Sequence, residues 1–233
     1  MISAHEAAAT PDGCYIAGVR LAVSLSVPIA RLHHRRAAQV GVAILRLALG
    51  FAFVPAGLKK VLGQPFTDPG NHGPFHDFLH AFHATGGFYR AVGALQLAVA
   101  VLLLTQRRAG LGAVLAVPVL TAIVGLCWST AVYPTAIVAT AMWLGALALV
   151  AWELPRHVAP TALPATPPID ATPWAWCGAG ILVAYGALCL WLGEVYRPRR
   201  VDAGDPAFYV MPMIALSPLG ALAAERVRRR RRQ

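Results

Sequence analysis

Long apolar runs alternate along this chain with short polar or proline-rich stretches. Six of the runs, at 38–58, 88–105, 109–129, 135–152, 174–192 and 206–224, approach or exceed the roughly 20 residues that cross a bilayer's hydrocarbon core. The decisive stretch is 109–152, forty-four residues without a single Asp, Glu, Lys, Arg or His. No segment that must present a surface to water can do without such groups. The pattern predicts an all-α membrane protein, with a four-helix transmembrane bundle over 38–153 and two extra C-terminal transmembrane helices over 174–224. Pro118 marks a kink point in the third run, and Pro212 and Pro218 predict a bend in the sixth.

The stretches between the runs have different characters. Residues 1–37 read as a cytoplasmic or interfacial segment, since the apolar part at 15–30 is interrupted by Arg20 and ended by Pro28. After the first run, Phe75, Phe78, Leu79 and Phe82 recur at i, i+3, i+4 and i+7, which predicts an amphipathic helix over about 74–84 lying on the outer surface. Residues 154–173 are a Pro-rich linker, too proline-dense for a helix. Residues 225–233 form an Arg-rich tail.

Composition agrees: 58% of residues are hydrophobic and only 13% charged, where a soluble domain carries about 25%. The net charge of +10 is concentrated beside the spans. With the amino terminus inside, twelve Lys and Arg flank the inner ends (Arg31, Arg35, Arg36, Arg107, Arg108, Arg156 and six in the tail), against six outside, including Arg197, Arg199 and Arg200. That bias predicts cytoplasmic N and C termini, with basic clusters facing anionic lipid, and it removes the nucleic-acid reading of the tail. The cysteines, Cys14, Cys127, Cys177 and Cys189, form no CxxC pair and suggest neither disulfide nor zinc.

The first run carries Leu45-Arg46-Leu47 and then Phe53, Gly57 and Lys60. The second is GFYRAVGALQLAVAVLLL closed by Arg107 and Arg108. In order and spacing these motifs, with the LGAVLAVPV run, resemble the DoxX-like family of small membrane proteins over about residues 40–153. The resemblance implies a compact bundle in a bacterial inner membrane. It also implies association with redox chemistry, as in the small subunit of a thiosulfate:quinone oxidoreductase, with quinone as the cofactor in question. Many relatives place a Glu in the second span where this chain has Gln96, so a proton role for that carboxylate does not carry over.

Arg46 is the most informative residue. A mid-helix charge costs on the order of 3 kcal/mol on insertion scales and must face the bundle interior or water. No Asp or Glu falls within any predicted span, so the expectation is a cation without an acid, served by Gln96, Tyr133, freed carbonyls or an anionic ligand. Lys59 and Lys60 at the outer end would complete a positive funnel, making Arg46, Lys60, Gln96 and Tyr133 the ligand-binding candidates. The competing reading makes Arg46 a hub that ties helices together through carbonyls. His76, His80 and His83, at i, i+4 and i+7 with His72 and Asp77 nearby, are the only metal candidates. Three ligands stacked along one helix make a poor tetrahedron, and interfacial histidines are the plainer account. No His falls inside a predicted span, which excludes a bis-His haem within the bundle.

The function expected is that of a non-catalytic or accessory subunit of a quinone- or sulfur-linked membrane redox system. Its partner would be a soluble or membrane oxidoreductase subunit, or a further copy of the chain. The alternatives are a membrane scaffold that binds a partner protein and a small-solute transporter with Arg46 as its anchor. No P-loop, dinucleotide fingerprint, nucleophile elbow or carboxylate pair suggests self-sufficient catalysis.

Overall fold

A computed structural model of the chain describes residues 24, 26–158, 160–164, 169–195 and 206–232. Most of the amino-terminal segment, Cys14 and the loop bearing Arg197, Arg199 and Arg200 lie outside the described residues. The described residues contain helices and no strand. After a short helical stretch at 26–33 come α1 (Arg36–Val61), α2 (Pro74–Ala84), α3 (Gly87–Leu104), α4 (Ala109–Ser129), α5 (Tyr133–Val158), α6 (Ala171–Leu192) and α7 (Pro206–Arg232). All but α2 are long and apolar enough to cross a membrane, making this a multi-pass, all-α membrane protein. Because the six long helices alternate in direction, α1, α3, α4 and α5 meet their loops at two ends. The end holding Arg36, Arg107, Arg108 and Arg156 is called here the basic end; the end holding α2 is the histidine end.

Close packing of α1 on α3 builds the core, and it depends on small residues. A Cβ on Gly57 would lie 2.9 Å from Leu97 Cγ, and one on Gly93 2.8 Å from the Val61 nitrogen. With no side chain at either position the two backbones approach directly, which in a bilayer supplies the dispersion contact that holds helices together. Leu47, Phe53, Val99, Leu103, Ala113, Leu120 and Leu149 fill the interior around this seam.

Two boundaries differ from those the sequence predicts, and for one reason. An apolar run ends where charge begins, but a helix need not. α5 continues beyond Trp152 to Val158, with Pro155 buried inside it, and a 3-10 turn follows at Pro160–Ala162. α7 runs through Pro212 and Pro218 and carries the tail arginines as far as Arg232 on the same helix. The Pro-rich linker is correspondingly shorter than 154–173. Its far end starts α6, where Asp170 accepts from the Thr172 backbone N–H at 2.9 Å and Pro173 occupies the first turn, a position that needs no amide donor.

The α6–α7 hairpin leans on the bundle. Gly178 sits so close to the Leu104 carbonyl that no side chain would fit between them. Tyr185 meets the Phe51 ring edge-on at 5.5 Å, and Trp174 is fully buried. α6 ends on Gly193, whose φ of +69° gives the left-handed cap that a β-carbon would strain.

Candidate functional site

Arg46 is not a cation without an acid. Its guanidinium reaches toward the basic end, where Nη2 donates to Glu153 Oε1 at 2.8 Å and Nη1 donates to Gln106 Oε1 at 3.3 Å. Both charged side chains are nearly closed off, 13% and 12% exposed. Glu153 follows the predicted fourth span directly, so the expectation failed by one residue: α5 stays helical there and carries the carboxylate into the bundle end. Arg156, one turn on, holds the other carboxylate oxygen at 2.8 Å.

Several elements build this pocket. Gln106 lies in the α3–α4 turn with φ of +61°, an uncommon conformation for a residue with a β-carbon. That turn lets its amide reach both Arg46 and the Ala43 carbonyl, the latter at 3.4 Å. Gly110, on the first turn of α4, leaves room for the Glu153 side chain; a Cβ there would stand 2.9 Å from Glu153 Cγ. His33 stacks on Trp152 with centroids 3.9 Å apart and donates from Nε2 to the Trp152 carbonyl at 3.0 Å. Burial pushes the His33 pKa below its ordinary value; the Trp152 hydrogen bond opposes that, and Arg156 and Arg46 reinforce it. Within this pocket, among the described residues, Arg46 Nε is buried without a partner. The arrangement is a paired cation that locks α1, the α3–α4 turn and α5 together. Glu153 and Gln106 already occupy Nη2 and Nη1.

A second pair stands at the same end. Arg36, the first residue of α1, donates from Nη2 to Glu225 Oε2 of α7 at 2.9 Å, and Glu225 is only 2% exposed. Glu225 also sits one residue beyond its predicted span. The signal that could have found both acids was available: a cation on the first span requires a counter-charge, and Glu153 and Glu225 each follow an apolar run directly.

The structure does not bring the four ligand candidates together. Lys60 lies about 21 Å along α1 from Arg46, at 1.5 Å per residue. In place of an open funnel, Lys60 is buried at 7% exposure, donates to the Ala56 carbonyl at 3.2 Å and has the Phe66 ring over its ammonium at 4.4 Å. Gln96 is buried in mid-α3 with Oε1 unpartnered. Tyr133 is 57% exposed at the start of α5, against the Trp128 ring.

The histidines of α2 also diverge. His76 shares a 2.6 Å hydrogen bond with Thr67, His80 donates to the Asn71 carbonyl at 3.2 Å, and His83 donates to the Gly63 carbonyl at 3.0 Å. Each pins α2 to a different point of the loop before it, and Tyr89 adds a bond to the Gln64 carbonyl at 2.8 Å. Among the described residues no three His, Cys, Asp or Glu converge as a metal site. The loop places Phe66, and α3 places Tyr89, against the Lys60 ammonium. Cys127, Cys177 and Cys189 are free thiols.

On the hairpin, α6 and α7 enclose an apolar cleft of about 730 Å³. Gly180, Ala184 and Ala187 line one wall, Gly220, Ala221 and Ala224 the other. No family model, curated protein or solved structure matches this chain.

Proposed function

We propose that the chain is an accessory, non-catalytic subunit of a bacterial inner-membrane complex, and that this complex is of the quinone- or sulfur-linked redox class to which its DoxX-like motifs point. In this reading the basic end faces the cytoplasm. The four-helix bundle is a closed scaffold, and the hairpin docks a transmembrane helix of the partner.

The observation that supports it best is the α6–α7 cleft. Among larger apolar side chains such as Trp176, Trp191 and Met213, each wall carries three small residues, Gly180, Ala184 and Ala187 on α6 and Gly220, Ala221 and Ala224 on α7, where a third helix's backbone can come close, as favoured in membrane helix association. Trp176 and Trp191 in its lining and Leu190 beside it are 70%, 78% and 85% exposed. The Arg46–Glu153 pair counts in the same direction. It leaves the transporter reading without a free anchor and makes the arginine a hub.

A photo-crosslinking residue at Ala187, in the cleft, is expected to trap one protein partner carrying a redox centre in native membranes. The same residue at Val138, exposed on α5, is expected to trap lipid. Equal protein adducts from both positions, or lipid adducts alone from Ala187, would overturn the docking role. Turnover of thiosulfate with a quinone analogue by the purified chain would overturn the non-catalytic one.

A further inference from the structure

Arg226, Arg229 and Arg230 stand at i, i+3 and i+4 on α7 and therefore share one face of the helix. Opposite them is Arg36 at the start of α1. The four side chains alone line an open surface groove of about 410 Å³. At about 30 Å³ per water that is room for an anion of many atoms, not a single small ion.

The charge in this groove is unbalanced. Glu225, paired with one of the lining residues, is committed to Arg36 Nη2, and Arg36 Nε is buried with no partner. No acid lies among the lining residues. Like charges at i, i+3 and i+4 repel, so three guanidiniums held on one face around a fourth favour a bound anion. α1 also begins with no side-chain cap and no acid in its first turn, which adds the positive end of its dipole at the same place.

The chemistry selected is a phosphate-class oxyanion, since guanidinium forks bind tetrahedral oxyanions in bidentate fashion. Its position selects the source. Arg226 follows the apolar part of α7 almost at once, and Arg36 opens α1, so the groove lies where two membrane-crossing helices emerge at headgroup level. We propose that Arg36, Arg226, Arg229 and Arg230 form a binding site for the phosphate of an anionic phospholipid, which clamps the first and last spans together. The Arg36–Glu225 pair orients one wall, and the lipid neutralises the others. The proposal rests on α1 and α7 being membrane spans and is independent of any protein partner or redox role.

The test uses the full chain in phosphatidylcholine nanodiscs doped with phosphatidylglycerol, with retained lipid counted by native mass spectrometry after mild detergent release. The cage variant is R226Q/R229Q/R230Q, all exposed positions whose change leaves Arg36–Glu225 in place. The control is R107Q/R108Q/R231Q, which removes equal charge at the same end. Phosphatidylglycerol occupancy is expected to fall about tenfold or more in the cage variant and to stay within about twofold in the control. Equal losses in both would show only a general surface attraction and overturn the site. So would retention by the cage variant. Inorganic phosphate is the second arm: if it binds the delipidated protein and displaces phosphatidylglycerol at equal concentration, the ligand is the free anion and the lipid assignment falls. The protein-partner reading can fail in its own crosslinking test without touching this result.

Discussion

α1 is held by an ion pair at each of two levels, and the pairs join it to different things. Arg46–Glu153 lies inside the four-helix bundle, where both partners are nearly closed off and Gln106, Gly110 and Arg156 complete the surroundings. Arg36–Glu225 joins the bundle to the hairpin, and its arginine is 33% exposed although its carboxylate is buried. The inner pair is over-determined: three elements fix it, and opening it strands charge in a dry site. The outer pair is a single contact between two bodies, backed by Gly178 on Leu104 and Tyr185 on Phe51. The bundle is therefore a closed unit and the hairpin a docked one, so disturbing each should have separate consequences.

Glu153→Ala is expected to have the largest effect. Removing one partner of a buried pair leaves the other uncompensated, which costs about 3–5 kcal/mol. The expected outcome is a large loss of thermal stability in detergent, spread over the whole bundle. A double change, Arg46→Met with Glu153→Leu, should recover most of it, because a packed apolar pair replaces a costly ionic one. If the double variant is as unstable as the single, the pair does more than hold charge, and the ligand reading of Arg46 returns.

Gly178→Ala comes next. The added methyl meets the Leu104 carbonyl, and overpacking of this kind costs about 1–3 kcal/mol. The loss should be local. Hydrogen exchange is expected to rise in α6 and α7 and to stay unchanged along the α1–α3 seam. Equal exchange in both regions would mean that bundle and hairpin unfold as one body.

The contrast also separates what was legible in the sequence from what was not. Six apolar runs, their order and the surface helix could be read because hydropathy and the Phe spacing report directly on helices that face lipid. The pairing of Arg46 could not be read from a boundary drawn at Trp152. Charge marks where hydrocarbon ends, whereas the backbone of α5 follows hydrogen bonding and continues to Val158. The same error at Ala224 hid Glu225. The spacing of His76, His80 and His83 permitted chelation but made interfacial histidines the plainer account, and it could not name their partners, because periodicity places side chains on a face without saying what the loop opposite offers. Thr67 and the carbonyls of Asn71 and Gly63 took those nitrogens.

Glu225→Gln tests the outer pair with less force. Arg36 keeps partial access to water, so the loss should be near 1 kcal/mol after allowing for screening. Exchange protection of α7 near residue 225 should fall while Arg46's surroundings remain protected. High salt should weaken the wild-type hairpin in the same direction, since an exposed guanidinium is screened and a closed one is not.

The smallest expected effect is pH-dependent and concerns His33, which anchors the stretch before α1 to Trp152. Its pKa is lowered in the folded chain by burial, so the folded form holds its proton less tightly than the unfolded form, whose value is 6.5. Above pH 6.5 both forms are neutral and the contact contributes in full. As pH falls below that, the unfolded state takes up a proton first, and stability is lost progressively until the folded pKa is passed. Arg156 and Arg46 repel the charged ring, while Glu153 partly offsets them. Lowering the pH from 7.5 to 5.5 should therefore reduce the exchange protection of residues 26–33, taken against the intrinsic rate at each pH, before it touches α1. His33→Gln keeps a donor for the Trp152 carbonyl without a titrating group, and should flatten that response. If the variant loosens with pH as the wild type does, the titrating group is elsewhere and the His33 account falls.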